Sequence, residues 1–163
     1  MILFFEEYIQ NKRGHSYEVE YFQTKSSYGV HQIYFIVTPK GKSTTILGRL
    51  WLFNFLYENK FGSFFPIGLG KTNTNKQRSG IYTNLLIYAA KSVKKHAPTK
   101  DVGICSFANT HAADDRYSEE NRRTKEADLF WSNLYIRQNE YNIEIQRKYN
   151  TRYEGFDYFM KIK

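Results

Sequence analysis

The sequence is short of cysteine, of acid and of long apolar runs, and each shortage removes a class of protein. Cys105 is its single cysteine, so the chain can form no intrachain disulfide and no cysteine-rich zinc site. A reducing compartment is expected, with Cys105 as a core residue in its apolar run. The apolar start, Met1 to Phe5, stops at Glu6 and Glu7. That run is too short for a signal peptide or a membrane span, which predicts a soluble, cytoplasmic protein without a membrane partner. The histidines, His15, His31, His96 and His111, have no metal-ligand spacing, and no metal is expected. No repeat, low-complexity tract or linker interrupts the 163 residues, so one domain over residues 1–163 is expected, long enough to bury a core.

Acidic residues number 16 against 24 Lys and Arg, a net charge of +8. That balance favours an anionic partner, whether nucleic acid, the phosphates of a cofactor, or an acidic protein surface. Aromatic residues are plentiful, with 14 Tyr and 13 Phe. Tyrosine packs a ring while keeping a polar tip, which suits half-buried strands and ligand clefts.

Along the chain, the first ten residues read as a short helix or a strand, the two being indistinguishable. Ser16 to Thr24 alternates Val19 and Tyr21 with Glu18 and Glu20, a half-exposed strand pattern. Val30 to Thr38 and Thr44 to Phe55 read as strands around a turn at Pro39 to Lys42, and Glu58 to Ser63 as the next turn. Phe64 to Lys71 reads as a strand weakened by Pro66, Gly68 and Gly70. Ile81 to His96 is the clearest helix, with Leu85, Leu86, Ala89, Ala90 and Val93 on one stripe and Pro98 barring continuation. Val102 to Ala108 is almost wholly apolar, the pattern of a strand buried on both faces. A second helix is expected over Glu119 to Gln138, capped at Ser118, and a closing hairpin pairs Tyr141 to Tyr149 with Gly155 to Ile162. The whole predicts an α+β fold: a mixed, mostly antiparallel sheet with a βαβ crossover, flanking helices and a C-terminal hairpin.

The chemistry gathers at Ile67-Gly68-Leu69-Gly70-Lys71 and at Asn75 to Leu86. An apolar strand leads through a basic turn into a helix that opens on Gly80. Free amides at a helix N-terminus bind phosphate readily, and Arg78 and Lys76 add charge beside them. Gly70-Lys71-Thr72 also invites comparison with the ATP-binding P-loop. The first glycine of that motif would fall on Phe65, and the residues after Thr72 form a polar turn in place of a helix.

The stretch resembles the acyl-CoA-binding motif of the GCN5-related N-acetyltransferase (GNAT) superfamily, Q/R-x-x-G-x-G/A. Gln77 and Gly80 match its first two fixed positions, Thr83, Leu85 and Leu86 match the Thr-x-Leu-Leu run that often follows, and Tyr82 stands where glycine or alanine is usual. The resemblance covers roughly Tyr34 to the C-terminus; the helices the family carries after its first strand are short or missing. It implies an acyl-CoA-dependent N-acyltransferase using acetyl-CoA or another acyl-CoA. In that family the strand before the loop splays from its neighbour and its backbone binds the pantetheine arm. The implied cofactor-binding residues are therefore Ile67, Leu69, Gln77, Arg78, Ser79, Gly80, Ile81, Thr83 and Asn109, with backbone amides near Leu69 for the oxyanion. The family often places a tyrosine acid in Ala-x-x-Leu/Phe-Tyr on its second helix. Here Ala127-Asp128-Leu129-Phe130-Trp131 puts an indole there, so Tyr135, one turn on, becomes the candidate acid. His111, after the buried strand, is the candidate base, and Glu18, Glu20 and Glu58 stay open beside it. Asp114 and Asp115 read as capping residues.

A second reading stays open beside this one. A basic, tyrosine-rich sheet suits a non-enzymatic nucleic-acid-binding module, its patch built from Arg122, Arg123 and Lys125 or from Arg147, Lys148 and Arg152.

Overall fold

The computed structural model describes residues 5–10, 16–25, 31–39, 47–72, 80–97, 100–110 and 122–163. By contact the chain divides into two compact units, Met1–Phe55 with Gly68–Ala89 and Leu56–Ile67 with Ala90–Lys163. The fold is α+β, with two α-helices and mixed, mostly antiparallel strand pairing among the described residues.

The first unit begins with strands β1 (Phe5–Gln10), β2 (Ser16–Lys25), β3 (His31–Pro39) and β4 (Gly48–Phe53). They form an antiparallel meander, pairing Phe5 with Tyr21, Tyr21 with Phe35, and Phe35 with Leu50. The ambiguous first segment is thus a strand, since β2 supplies the ladder partner that a lone decapeptide lacks. Side chains alternate across β3 and β4 as a two-residue period demands. Ile33, Phe35, Leu50 and Leu52 are buried. On that face Phe35 meets the ring of Tyr88 edge-on at 5.8 Å, which fixes helix α1 (Ile81–His96) over it. The alternate positions carry Tyr34, Trp51 and Phe53, with Trp51 stacked on Tyr34 at 6.3 Å and edge-on to Phe53 at 4.8 Å.

The second unit is built on strand β6 (Gly62–Thr72), which runs on into the first unit, and on β7 (Val102–Ser106). These two are parallel, pairing Ser63–Val102 through Pro66–Cys105. With α1 between them in the chain, they make the expected βαβ unit. Short strand β5 (Tyr57–Asn59) folds back on β6, pairing Glu58 with Ser63. The turn expected over Glu58 to Ser63 is therefore tighter, centred on Lys60 and Phe61. Gly62 adopts φ 139° there, a value that only glycine reaches without strain. Strand β9 (Gly155–Ile162) lies antiparallel to β7 and to β8 (Ile143–Asn150), the closing hairpin. Every residue of β7 is buried, as its apolar run predicts. Phe64, Cys105 and Phe159 form a core on one face of these strands, with Phe61 and Phe107 packed against it. On the other face Trp131 of helix α2 (Lys125–Ile136) stacks on Tyr158 at 5.5 Å.

Helix α2 is shorter than expected. Its start lies at Thr124, whose ψ of 155° is extended and whose hydroxyl accepts from the Ala127 amide at 3.2 Å. Arg122 before it bridges to Asn109, so these residues serve an extended segment. The expected cap at Ser118, with Asp114, Asp115, Glu119 and Glu120, falls outside the described residues.

Candidate functional site

The predicted site residues fall into three groups. The first lies on β6. Its parallel ladder with β7 ends at Pro66–Cys105, and Ile67 and Ser106, next on each strand, are no longer partners. Proline has no amide hydrogen to offer a rung. Gly68 follows, and a Cβ built on it would lie 2.2 Å from ring carbons of Trp51. Glycine there lets the indole lie flat against the strand backbone. Ile67 is half-buried, and the backbone of Leu69 continues the strand.

The second group opens α1. Gly80 has φ 87°, a left-handed conformation that a Cβ would disfavour. Its carbonyl accepts the first helical bond, from the Asn84 amide at 3.1 Å. Ile81 is fully buried and anchors the helix start; Tyr82 and Thr83 are half-buried. No acid occupies the first turn, so nothing there opposes an anion drawn by the partial positive charge of the helix end. Gln77, Arg78 and Ser79 lie outside the described residues, as does His111.

The third group surrounds the end of β7, and sequence reasoning missed its centre. Arg123 is 4% exposed. Its guanidinium donates to Ser106 Oγ at 3.1 Å, the Ser106 carbonyl at 2.7 Å, the Phe156 carbonyl at 2.8 Å and Asp128 Oδ1 at 3.0 Å. It also lies over the Tyr158 ring at 5.3 Å. One planar fork thus ties β7, β9 and α2 together, which is how a buried guanidinium is tolerated. Arg123 therefore belongs to no surface patch. Beside it, Arg122 is half-buried and donates to the carbonyls of Tyr153 and Glu154. Of that first candidate patch only Lys125 is exposed. Asn109, a predicted cofactor contact, is half-buried and bridges to Arg122.

Asp157 was missed as well. Its Oδ1 accepts from the Ala108 amide at 2.8 Å. Burial pushes its carboxyl above the usual range, while the Ala108 amide, Arg123, Asn150 and Lys148 pull it back. Burial, and then the Asp157 carboxylate, push the Cys105 thiol well above its ordinary value. Cys105 is a fully buried core residue, as expected. The one signal for Asp157 was an acid set among aromatics in Phe156-Asp157-Tyr158-Phe159.

Trp131, where the resemblance would place a tyrosine acid, is 2% exposed and packed on Tyr158. Tyr135 is half-buried one turn further on, tilted against Tyr158 at 6.5 Å and covered by the Arg147 guanidinium 4.1 Å from its ring centre. Burial holds the Tyr158 phenol above its ordinary value, against the pull of Arg123 and Arg147.

Among the described residues, no three His, Cys, Asp or Glu side chains gather as metal ligands, and no helix is long and apolar enough to cross a membrane. Set against family models, curated proteins and solved structures, the chain finds no match in any of the three.

Proposed function

We propose that the chain is an acyl-CoA-dependent N-acyltransferase that moves an acetyl or related acyl group to an acceptor amine. One observation carries this reading: the β6–β7 ladder stops at Pro66, and the strand leads on to a helix that opens on left-handed Gly80. A strand that leaves its parallel neighbour has backbone groups to offer the amide-bearing pantetheine arm. A helix N-terminus without acids favours the pyrophosphate. The residues assigned to acyl-CoA are the backbone of Ile67 and Leu69, and then Gln77 to Ile81 with Thr83. In the reaction the amine nitrogen attacks the thioester carbonyl carbon, a C–N bond forms and the C–S bond breaks. The amine proton leaves to a base, for which His111 is the candidate. The departing thiolate takes a proton from an acid, for which Tyr135 is the candidate. Arg123 and Asp157 act as struts that hold the end of β7 in place.

Thermal unfolding with acetyl-CoA tests the reading. Ligand at a hundredfold excess over Kd adds about 2.7 kcal/mol, or roughly 5–10 °C in Tm for a chain of this size. Gly80→Trp should abolish the shift. Gly80→Ala, which meets the same backbone strain without the bulk, should keep part of it. A CoA-release assay against pools of amines, peptides and tRNA then finds the acceptor. No Tm change at millimolar acetyl-CoA, together with no thiol release, sinks the proposal.

A further inference from the structure

The outer end of the C-terminal hairpin carries an exposed ring, Tyr149, and cations, Arg147 and Arg152, that the acyltransferase reading does not use. Tyr149 of β8 is 51% exposed, and its ring meets Phe156, its cross-strand partner, edge-on at 5.2 Å. Two residues back, Arg147 is exposed and its guanidinium lies over two rings, 4.2 Å from the centre of Phe156 and 4.1 Å from that of Tyr135. Tyr135, Arg147, Phe156 and Tyr149 therefore form one continuous row of contacts. Arg152 is exposed in the turn that closes the hairpin.

The charges around the row are unequal. Asp128 is committed to Arg123, and the Asp157 carboxyl accepts from the Ala108 amide. That leaves Glu154 as the exposed acid of the turn, set against Arg147, Arg152 and, across β8, Lys148. An arginine held against two rings loses little freedom when its N–H groups meet phosphate oxygens, although part of that fork also serves the Tyr158 phenol. The exposed Tyr149 ring offers a π-face for a base. A duplex hides the faces of its bases and an acidic peptide has none, so one ligand uses both features.

We propose that this hairpin end binds single-stranded nucleic acid, with a base stacked on Tyr149 and phosphates on Arg147 and Arg152. The inference stands on the hairpin and the α2 ring beside it, and does not require the acyltransferase reading. Stacking and phosphate contact separate cleanly by experiment, because only the second releases counterions.

The test is fluorescence anisotropy with a labelled 12-nucleotide oligo-U and a 12-base-pair duplex, from 50 to 200 mM salt. Saturable binding of the single strand, tighter than that of the duplex, is expected. Tyr149→Ala should weaken it about 5- to 100-fold without changing the salt slope. Arg152→Gln should lower the slope by about 0.7, the value for one phosphate on a single strand. Lys91→Glu, an exposed charge on α1, should leave Kd within about twofold by the usual limits for a remote surface site. Because Tyr149 and Arg152 are exposed, both variants should melt with the wild type. The proposal is overturned by no saturable binding at 50 mM salt, by equal affinity for duplex, or by a Tyr149→Ala protein that binds unchanged.

Discussion

Replacing Arg123 by methionine tests the central packing argument, because one side chain there satisfies three elements. The substitution keeps most of the apolar stem and deletes four hydrogen bonds of 2.7–3.1 Å. Adding four charge-assisted bonds at face value overshoots, since water solvates the arginine in the unfolded chain. Removing one partner of a buried pair costs about 3–5 kcal/mol, mostly because the other groups stay buried and unsatisfied. Here the Asp128 side chain is 31% exposed and can turn to water. The carbonyls of Ser106 and Phe156 belong to strand backbones and cannot turn away. The low end of the range follows, about 3 kcal/mol, which lowers Tm by roughly 6–12 °C in a chain of this length. Asp128→Ala removes one acceptor and leaves Arg123 its other three, so it should cost only about 1 kcal/mol. Urea and thermal denaturation of both variants give the ratio. An Arg123→Met protein that melts within 2 °C of wild type, or an Asp128→Ala protein that is equally damaged, would refute the idea that the guanidinium serves chiefly the two carbonyls.

Four further outcomes are expected. A Cβ on Gly103 would lie 2.0 Å from the Met160 carbonyl oxygen, and a neighbouring strand's backbone cannot yield as a side chain can. Gly103→Ala should therefore cost more than about 3 kcal/mol. Gly68→Ala meets only the half-exposed Trp51 ring, so it should cost about 1–2 kcal/mol and shift the tryptophan emission. Asp157→Asn keeps an oxygen for the Ala108 amide but removes the titration. Because the folded-state pKa of Asp157 is raised, its contribution is full below the unfolded value, near 3.9, and declines as pH rises through the folded value. Denaturation from pH 3 to 7 should show the variant gaining on wild type as pH rises, and a difference flat with pH refutes this. Thr124→Ala removes the oxygen that caps α2 and should cost about 1 kcal/mol by urea melt.

How much was legible depended on whether a segment's pattern was local. Helix α1 was read to its ends, Ile81 and His96, because an apolar stripe at 3.6-residue spacing, a leading glycine and a following proline are all local signals. The buried strand β7 and the closing hairpin were read for the same reason. The start of α2 was misjudged because Ser118-Glu119-Glu120 has the look of a cap. The real cap is Thr124, and the two arginines before it are extended to meet Asn109 and the end of β7. Arg123 looked like one more surface cation, since a run of Arg and Lys carries no mark of which member is buried. In the candidate site, Gly80 was singled out from sequence and has the left-handed backbone that only glycine adopts freely. Asp157 was passed over, because its raised pKa comes from burial by elements distant in the chain, which no local pattern announces.

By itself, the order of residues determined the class of fold, the parallel pair around a crossover helix, and the aromatic, basic character of the chain. Those properties follow from periodicity, turn chemistry and summed charge, each of which acts over a few residues or over the whole composition. Tertiary structure alone decided which arginine is buried and which tyrosines remain exposed. These are outcomes of competition among residues far apart in sequence for the same hydrogen bonds and the same apolar space. No local pattern encodes the winner.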